Sequence, residues 1–361
     1  MTKKAFTKFE LGNKLTLQNR IVMAPMSRGS STQEGNLITQ EYIDYYTLRA
    51  KNEVGLIISE GVYVNSTNGF TSRYNNTRLH NQEQMEGYRG LVEKIHETGS
   101  KFAVQLWHCG PASDDPIGPI KTQKWGKTVS VITKEQMAQA KEDFVNSAKL
   151  AKEANCDAIE LHAGGGFLLD AFISLTNDRK DGYGSTFEGR IKYPLEVIRA
   201  VREAVGEDFP LIYRVSQFGF GEDFSEIKWR NPQELKEFVL AIKGAGIDII
   251  HVCDYKCTKI TFDDQEEKNC LSAWAQKLSG IPVIATGGMT YSNTLIESFM
   301  SENKSPVSDP EPHLALIENN KVDLVGVARG FINNPDWVIK VKNGNWKELK
   351  PFGKEDLLKL I

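Results

Sequence analysis

No run in this chain is long and apolar enough to span a bilayer. The first seventeen residues, Met1 to Leu17, hold lysines but no continuous apolar stretch, so neither a membrane span nor a signal peptide is expected. An excess of one charge is missing too. Lys and Arg number 44 against 47 Asp and Glu, a formal net charge of -3, which leaves no basic field to attract nucleic acid. Cysteine is sparse and unpaired: Cys109, Cys156, Cys253, Cys257 and Cys270 are an odd number with no Cys-x-x-Cys. That usage suits free thiols in a reducing cytoplasm. Cys253 and Cys257, four apart, are a poor match to metal-binding pairs, and no metal is expected.

What is present is core. Forty percent of the 361 residues are hydrophobic, enough for one large domain over 1–361. Strand-like and helix-like patterns alternate throughout. The strand runs are Ile21 to Pro25, Gly55 to Glu60, Phe102 to Trp107, Ala158 to Leu161, Leu211 to Val215, Asp248 to Cys253, Pro282 to Thr286 and Asp323 to Ala328. Most are continuously apolar, as in a parallel sheet covered by helices. Helical periods run over Gln82 to Glu97, Lys134 to Glu153, Pro194 to Val205 and Pro232 to Gly244. Eight such units predict a (β/α)8 barrel, a TIM barrel. A doubly wound sheet would want Gly-x-Gly-x-x-Gly after its first strand, and Met23-Ala-Pro-Met-Ser-Arg supplies none. Alternation around Gly12-Asn13 predicts an N-terminal β-hairpin lid on the bottom of the barrel. Inserted loops are expected after strand 3 (Gly110 to Thr133) and after the helix of strand 7 (Ser301 to Pro312).

Barrel active sites lie at the C-terminal strand tips. The tips here carry Ala24, Pro25, Met26 and Ser27, then Gly61, Gln105, His108, His162, Arg214 and the run Cys253-Asp254-Tyr255. The last two carry Gly287, Gly288, Ala328 and Arg329. Open backbone N–H groups beside an arginine on strands 7 and 8 make a phosphate cradle, although that alone fits many ligands. A histidine such as His162, at a strand end before three glycines, fits a ligand site and a structural role about equally well.

Around it the chain reads Asp157-Ala-Ile-Glu-Leu-His-Ala-Gly-Gly-Gly-Phe-Leu-Leu-Asp, then Asn177-Asp-Arg-Lys-Asp-Gly-Tyr-Gly-Ser-Thr-Phe-Glu-Gly-Arg. This resembles the Old Yellow Enzyme family of FMN-dependent oxidoreductases, which carries His-x-x-(Asn or His)-Gly-Tyr-Leu-Leu here and then Asn-x-Arg-x-Asp-x-Tyr-Gly. His162, Leu168, Leu169, Asn177, Arg179, Asp181, Tyr183, Gly184, Glu188 and Arg190 fit the pattern. The likeness extends from Asn19-Arg-Ile-Val-Met-Ala-Pro-Met to Arg329-Gly-Phe-Ile-Asn-Asn-Pro-Asp. With no cysteine after Cys270, the iron–sulfur extension of the dienoyl-CoA reductase branch is not expected.

The resemblance implies FMN as cofactor and NADH or NADPH as co-substrate. It implies flavin contacts from the Ala24, Pro25 and Met26 peptides, Ser27, Gly61, Gln105 and Arg214, with the phosphate on Gly287, Gly288, Ala328 and Arg329. His162 becomes the catalytic donor to the acceptor. Three positions depart: Pro111 replaces an arginine, Gly165 the second donor (Asn or His), and Phe167 a proton-giving tyrosine. Losing one oxyanion donor costs about 3–4 kcal/mol, and losing a general acid costs on the order of 100-fold. The expected activity is therefore FMN-dependent NAD(P)H oxidation with a small-molecule acceptor needing little help with protonation: a quinone, nitro compound, flavin or oxygen. One alternative is an ene-reductase in which His108, Tyr255 or water replaces the missing groups. Another is a flavin-binding barrel with little turnover. The oligomeric state is left open, a homo-oligomer included.

Overall fold

The computed structural model describes residues 4–65, 69–124, 126–217 and 227–360. Eight parallel strands close into a barrel: β1 (Ile21–Met23), β2 (Leu56–Tyr63), β3 (Lys101–Trp107), β4 (Ala158–His162), β5 (Leu211–Ser216), β6 (Ile249–Cys253), β7 (Val283–Thr286) and β8 (Leu324–Val327). They pair in chain order, and β8 returns to β1 with Val325 opposite Ile21 and Val327 opposite Met23. The expected (β/α)8 barrel is the observed one. β2 runs past Glu60 to Tyr63 because its register with β3 shifts between Ile58 and Gly61, a bulge that lets the strand continue.

The longer helices between the strands are α1 (Gln40–Ala50), α2 (Gln82–His96), α3 (Lys134–Glu153), α4 (Phe187–Val205), α5 (Pro232–Gly244), α6 (Leu271–Ser279) and α7 (Glu311–Glu318), with α8 (Trp337–Lys342) after β8. Local chemistry sets their starts. Thr133 and Gln136 form a reciprocal capping box on α3, and Asn231 caps α5 just before Pro232. The sequence pattern starts α4 at Pro194, but the helix begins at Phe187, where the Thr186 side chain accepts from Gly189 N. Pro194 sits inside it at the loss of one i→i−4 bond. No helix of the described residues is long and apolar enough to cross a membrane.

At the foot of the barrel, Phe9–Leu11 pairs antiparallel with Leu15–Leu17. Phe9, Leu15 and Leu17 join Val22, Leu56, Ile58, Ile212 and Ile249 of the barrel in one buried cluster. Lys14 Nζ meets Asp248 Oδ1 at 2.8 Å, just before β6 begins. The segment after β3 holds a small sheet where a loop is expected: Lys127–Val131 pairs parallel with Ile117–Gly118 and antiparallel with Thr122–Lys124. Arg179 Nη1 donates to Pro119 O at 3.2 Å and Ile132 O at 2.9 Å, tying both ends of that excursion to the segment after β4. The second excursion lies between a short helix, Leu295–Met300, and α7.

Candidate active site

The strand tips open on a cavity of about 790 Å³. On its β7–β8 side it is lined by Gly287, Gly288, Ala328 and Arg329, and elsewhere by Pro25, Met26, Ser27, Gly61, Gln105, His162 and Arg214. Ala24 lies behind this wall, fully buried, its N–H donating to Val327 O at 2.9 Å. Trp107, Phe167, Cys253 and Tyr255 line the same space.

The tips of β1 and β2 are held from below. Glu60, fully buried at the bulge, accepts from Arg28 N (2.7 Å), Gly29 N (3.1 Å) and Thr77 N (3.0 Å), which fixes the loop after β1. Burial pushes its carboxyl above the usual range despite those bonds. Asn76 Nδ2 donates to Ser27 Oγ at 3.0 Å and to Gly61 O at 2.7 Å. A Cβ on Gly61 would come 2.6 Å from Trp107 Cε3, so only glycine lets the indole lie against this strand. On β7 the need is stronger: a Cβ on Gly287 would fall 1.9 Å from Asp254 O.

The two cationic positions differ. Arg214 is 8% exposed, and the hydrogen bond recorded for its guanidinium runs to Cys253 Sγ at 3.2 Å. Burial works against its charge, but Cys253 and Glu160 outweigh that and raise its pKa. Arg329 is engaged with protein already, donating to Thr294 O (3.2 Å), Asn293 O (2.8 Å) and Ser298 Oγ. Burial lowers its pKa to about 10.

Gln105, Glu160, His251 and Thr286 make a buried polar chain under the cavity. Gln105 Nε2 donates to Glu160 Oε1 at 2.7 Å, His251 Nδ1 lies 2.5 Å from Glu160 Oε2, and His251 Nε2 lies 2.8 Å from Thr286 Oγ1. The sequence marks Gln105 and Thr286 as strand-tip residues but not Glu160 and His251. The signal for the others was a charged or polar residue inside an apolar strand, as in Ala-Ile-Glu-Leu and Ile-Ile-His-Val.

His162 ends β4 beside Arg214, its register partner on β5. Its Nδ1 is buried with no hydrogen-bond partner among the described residues. Burial first, then the charge of Arg214, holds its pKa well below the usual imidazole value, so the ring is neutral. The Phe167 ring meets Trp107 and His162 edge-on, centroids 4.8 Å and 4.9 Å apart. His108 is turned away, against the idea that it replaces a missing group. Its ring is buried, Nδ1 accepts from Gly110 N at 3.1 Å, and it does not line the cavity. Tyr255 does.

The glycine turn after β4 is pinned by a network that sequence reasoning missed. Gly166 N donates to Asp170 Oδ2 at 2.6 Å, Lys228 Nζ pairs with Asp170 Oδ1 at 2.6 Å, and Lys228 Nζ donates to Ser216 O at 2.8 Å.

The family model for "NADH:flavin oxidoreductase / NADH oxidase family" matches residues 4–348. The chain is 32% identical over 361 residues to an NADH oxidase of Thermoanaerobacter brockii, covering 96% of this chain but 52% of that relative, so it spans about half that protein's length. It is 30% identical to an NADPH dehydrogenase of Clostridium acetobutylicum, covering 97% of this chain and 98% of the relative. The structure of the old yellow enzyme homologue from Zymomonas mobilis superposes with a TM-score of 0.81 at 22% identity, over 99% of this chain and 96% of that one, a likeness of fold. A barrel whose strand tips open on a glycine-walled, arginine-bearing cavity, together with a match over nearly all its length, puts the chain in the NADH:flavin oxidoreductase / NADH oxidase family, the Old Yellow Enzyme family its sequence resembles.

Proposed function

We propose that the chain is one FMN-binding barrel domain that oxidises NADH or NADPH and passes the reducing equivalents to a small acceptor such as a quinone, nitro compound, flavin or oxygen. FMN, held by the residues at the strand tips, would supply the redox centre between the nicotinamide and the acceptor. The observation that carries this reading is Arg214. A guanidinium has five N–H donors and no acceptor. Buried at the cavity wall with one sulfur partner among the described residues, it calls for an anionic acceptor in that space. The N1 and C2-oxygen edge of a flavin, which gains negative charge on reduction, is such an acceptor.

The remaining residues fit the same group. Gln105 offers an amide to the imide edge of the ring, and Ser27, steadied by Asn76, offers a hydroxyl. The Pro25 and Met26 peptides and Gly61 leave a flat wall. Gly287, Gly288, Ala328 and Arg329 would hold the phosphate. His162 supplies one neutral N–H to an acceptor oxygen. The Gly165 N–H is engaged with Ser216 Oγ, so that position offers no donor. An acceptor that needs two donors and an acid is therefore poorly served. One observation favours ene reduction as a second reading: Tyr255 lines the cavity, and burial keeps its phenol protonated. The five cysteines are free, which fits a reducing, cytoplasmic setting.

The purified protein should be yellow and release FMN on denaturation. In stopped flow, NADH or NADPH should bleach the flavin, and menadione should reoxidise it faster than cyclohexenone does. A protein that takes up no FMN removes the flavin reading. Flavin that resists reduction by either nicotinamide leaves a binding barrel, and cyclohexenone as the faster oxidant makes it an ene-reductase.

A further inference from the structure

The polar chain beneath the cavity has a direction. Gln105, Glu160, His251 and Thr286 stand on β3, β4, β6 and β7, and Glu160 and His251 are fully buried. A threonine hydroxyl both donates and accepts, a neutral imidazole has one N–H and one bare nitrogen, and a carboxylate only accepts. His251 is held neutral chiefly by burial. With Glu160 Oε2 at Nδ1 and the Thr286 hydroxyl at Nε2, one assignment satisfies every atom. Thr286 donates to Nε2, Nδ1–H donates to Glu160, and the other Glu160 oxygen accepts from Gln105 Nε2. The Gln105 amide therefore cannot turn over. Flipping it would set its carbonyl against the Glu160 carboxylate, two acceptors face to face at a fully buried position.

We propose that Glu160, itself oriented by His251 and Thr286, is a positioning residue that fixes the Gln105 amide with Oε1 toward the cavity. The site thereby selects a ring whose edge offers an N–H donor to Gln105 Oε1. An ideal Cβ on Gly61, itself in the cavity wall, would sit 3.3 Å from Gln105 Oε1, so this oxygen borders the space a ring would fill. The inference rests on the flavin reading above and adds to it a cause for the ring's orientation. Glu160 touches no ligand and acts through Gln105.

The test is competition between FMN and 3-methyl-FMN, which lacks the N3–H donor, for the full-length chain. The wild type should prefer FMN by roughly 10- to 100-fold, the range expected when a buried acceptor loses its donor. Glu160→Gln offers the Gln105 amide a partner in either orientation, so the preference should shrink to a few-fold while FMN still binds. A destabilised barrel with the amide still fixed would bind both flavins more weakly and keep their ratio. Thr286→Val removes the hydroxyl that sets the His251 tautomer and should lower the ratio part of the way. It carries the test if Glu160→Gln does not fold. A ratio unchanged in a folded variant overturns the proposal while leaving the flavin reading standing. A wild-type chain that binds neither flavin overturns both.

Discussion

The backbone N–H of Gly165 donates to Ser216 Oγ at 3.0 Å, joining the turn after β4 to the last residue of β5. With φ at +74°, Gly165 sits in the left-handed region, and its N–H is already satisfied by protein. This is where an Old Yellow Enzyme has its second donor side chain.

Restoring both missing groups should therefore restore enone chemistry. Asn tolerates the left-handed region better than other side chains, so Gly165→Asn should keep the turn. Phe167→Tyr adds a phenol to a ring that already lines the cavity. Each change alone should raise cyclohexenone turnover modestly, and the double variant should exceed the product of the two gains, because both groups act on one transition state. Flavin content is checked first. A fully flavinated double variant no faster than wild type would show that Gly165 and Phe167 do not limit the reaction.

Arg214→Ala should lower the flavin reduction potential. Facing the N1 edge as proposed, its charge would favour the reduced, anionic ring, and each 1.4 kcal/mol lost moves a two-electron couple by about 30 mV. Potentiometric titration reads this directly, and a potential equal to wild type would exclude Arg214 as the partner of the N1 edge.

Arg329→Ala should weaken FMN binding by about 2 kcal/mol or more through loss of a charge-assisted phosphate contact. The guanidinium also bonds Asn293 O, Thr294 O and Ser298 Oγ. A lower melting temperature in the flavin-free chain should therefore accompany the affinity loss. Unchanged FMN affinity would put the phosphate elsewhere.

Asp170 and Lys228 are each 2% exposed in their ion pair. Removing one partner of a buried pair typically costs about 3–5 kcal/mol. Lys228→Ala should show a loss of that order in denaturant unfolding, with the acceptor step slowed as the turn holding Phe167 loosens. A loss under about 1 kcal/mol would mean the pair does not anchor the turn.

Acid should destabilise the fold near neutrality. Burial is the largest cause of the lowered pKa at His108 and His313, each brought to about 4, and at His162. Below the unfolded value of about 6.5 the unfolded chain binds more protons, so stability falls as pH drops. Three such groups give a slope of up to about 4 kcal/mol per pH unit below 6.5. Urea midpoints that stay flat from pH 7 to 5 would contradict their burial as neutral rings.

The barrel was legible because a parallel strand covered on both faces reads as an unbroken apolar run, and eight such runs alternate with helices. The strand tips could be read off the same pattern. Long-range polar pairing could not. Lys228 and Asp170 are 58 residues apart, and nothing in their local sequence marks them as partners. Glu160 and His251 were passed over as strand interior, although an ionisable residue in an apolar strand needs a partner. Pro194 hid the first two turns of α4, since a proline reads as a helix start even where a helix carries it inside. The small sheet after β3 has a strand of only two residues, Ile117–Gly118, too short to carry a period.

The hairpin at the foot of the barrel has a kinetic consequence. Phe9, Leu15 and Leu17 stopper that end with buried hydrocarbon, so on the proposed function whatever reacts in the cavity would arrive and depart across the opposite face. With FMN bound there as proposed, an entrance shared over one flat ring would impose turn-taking. On the proposed function the spent nicotinamide would leave before the oxidant enters, and double-reciprocal plots at several fixed oxidant concentrations should run parallel.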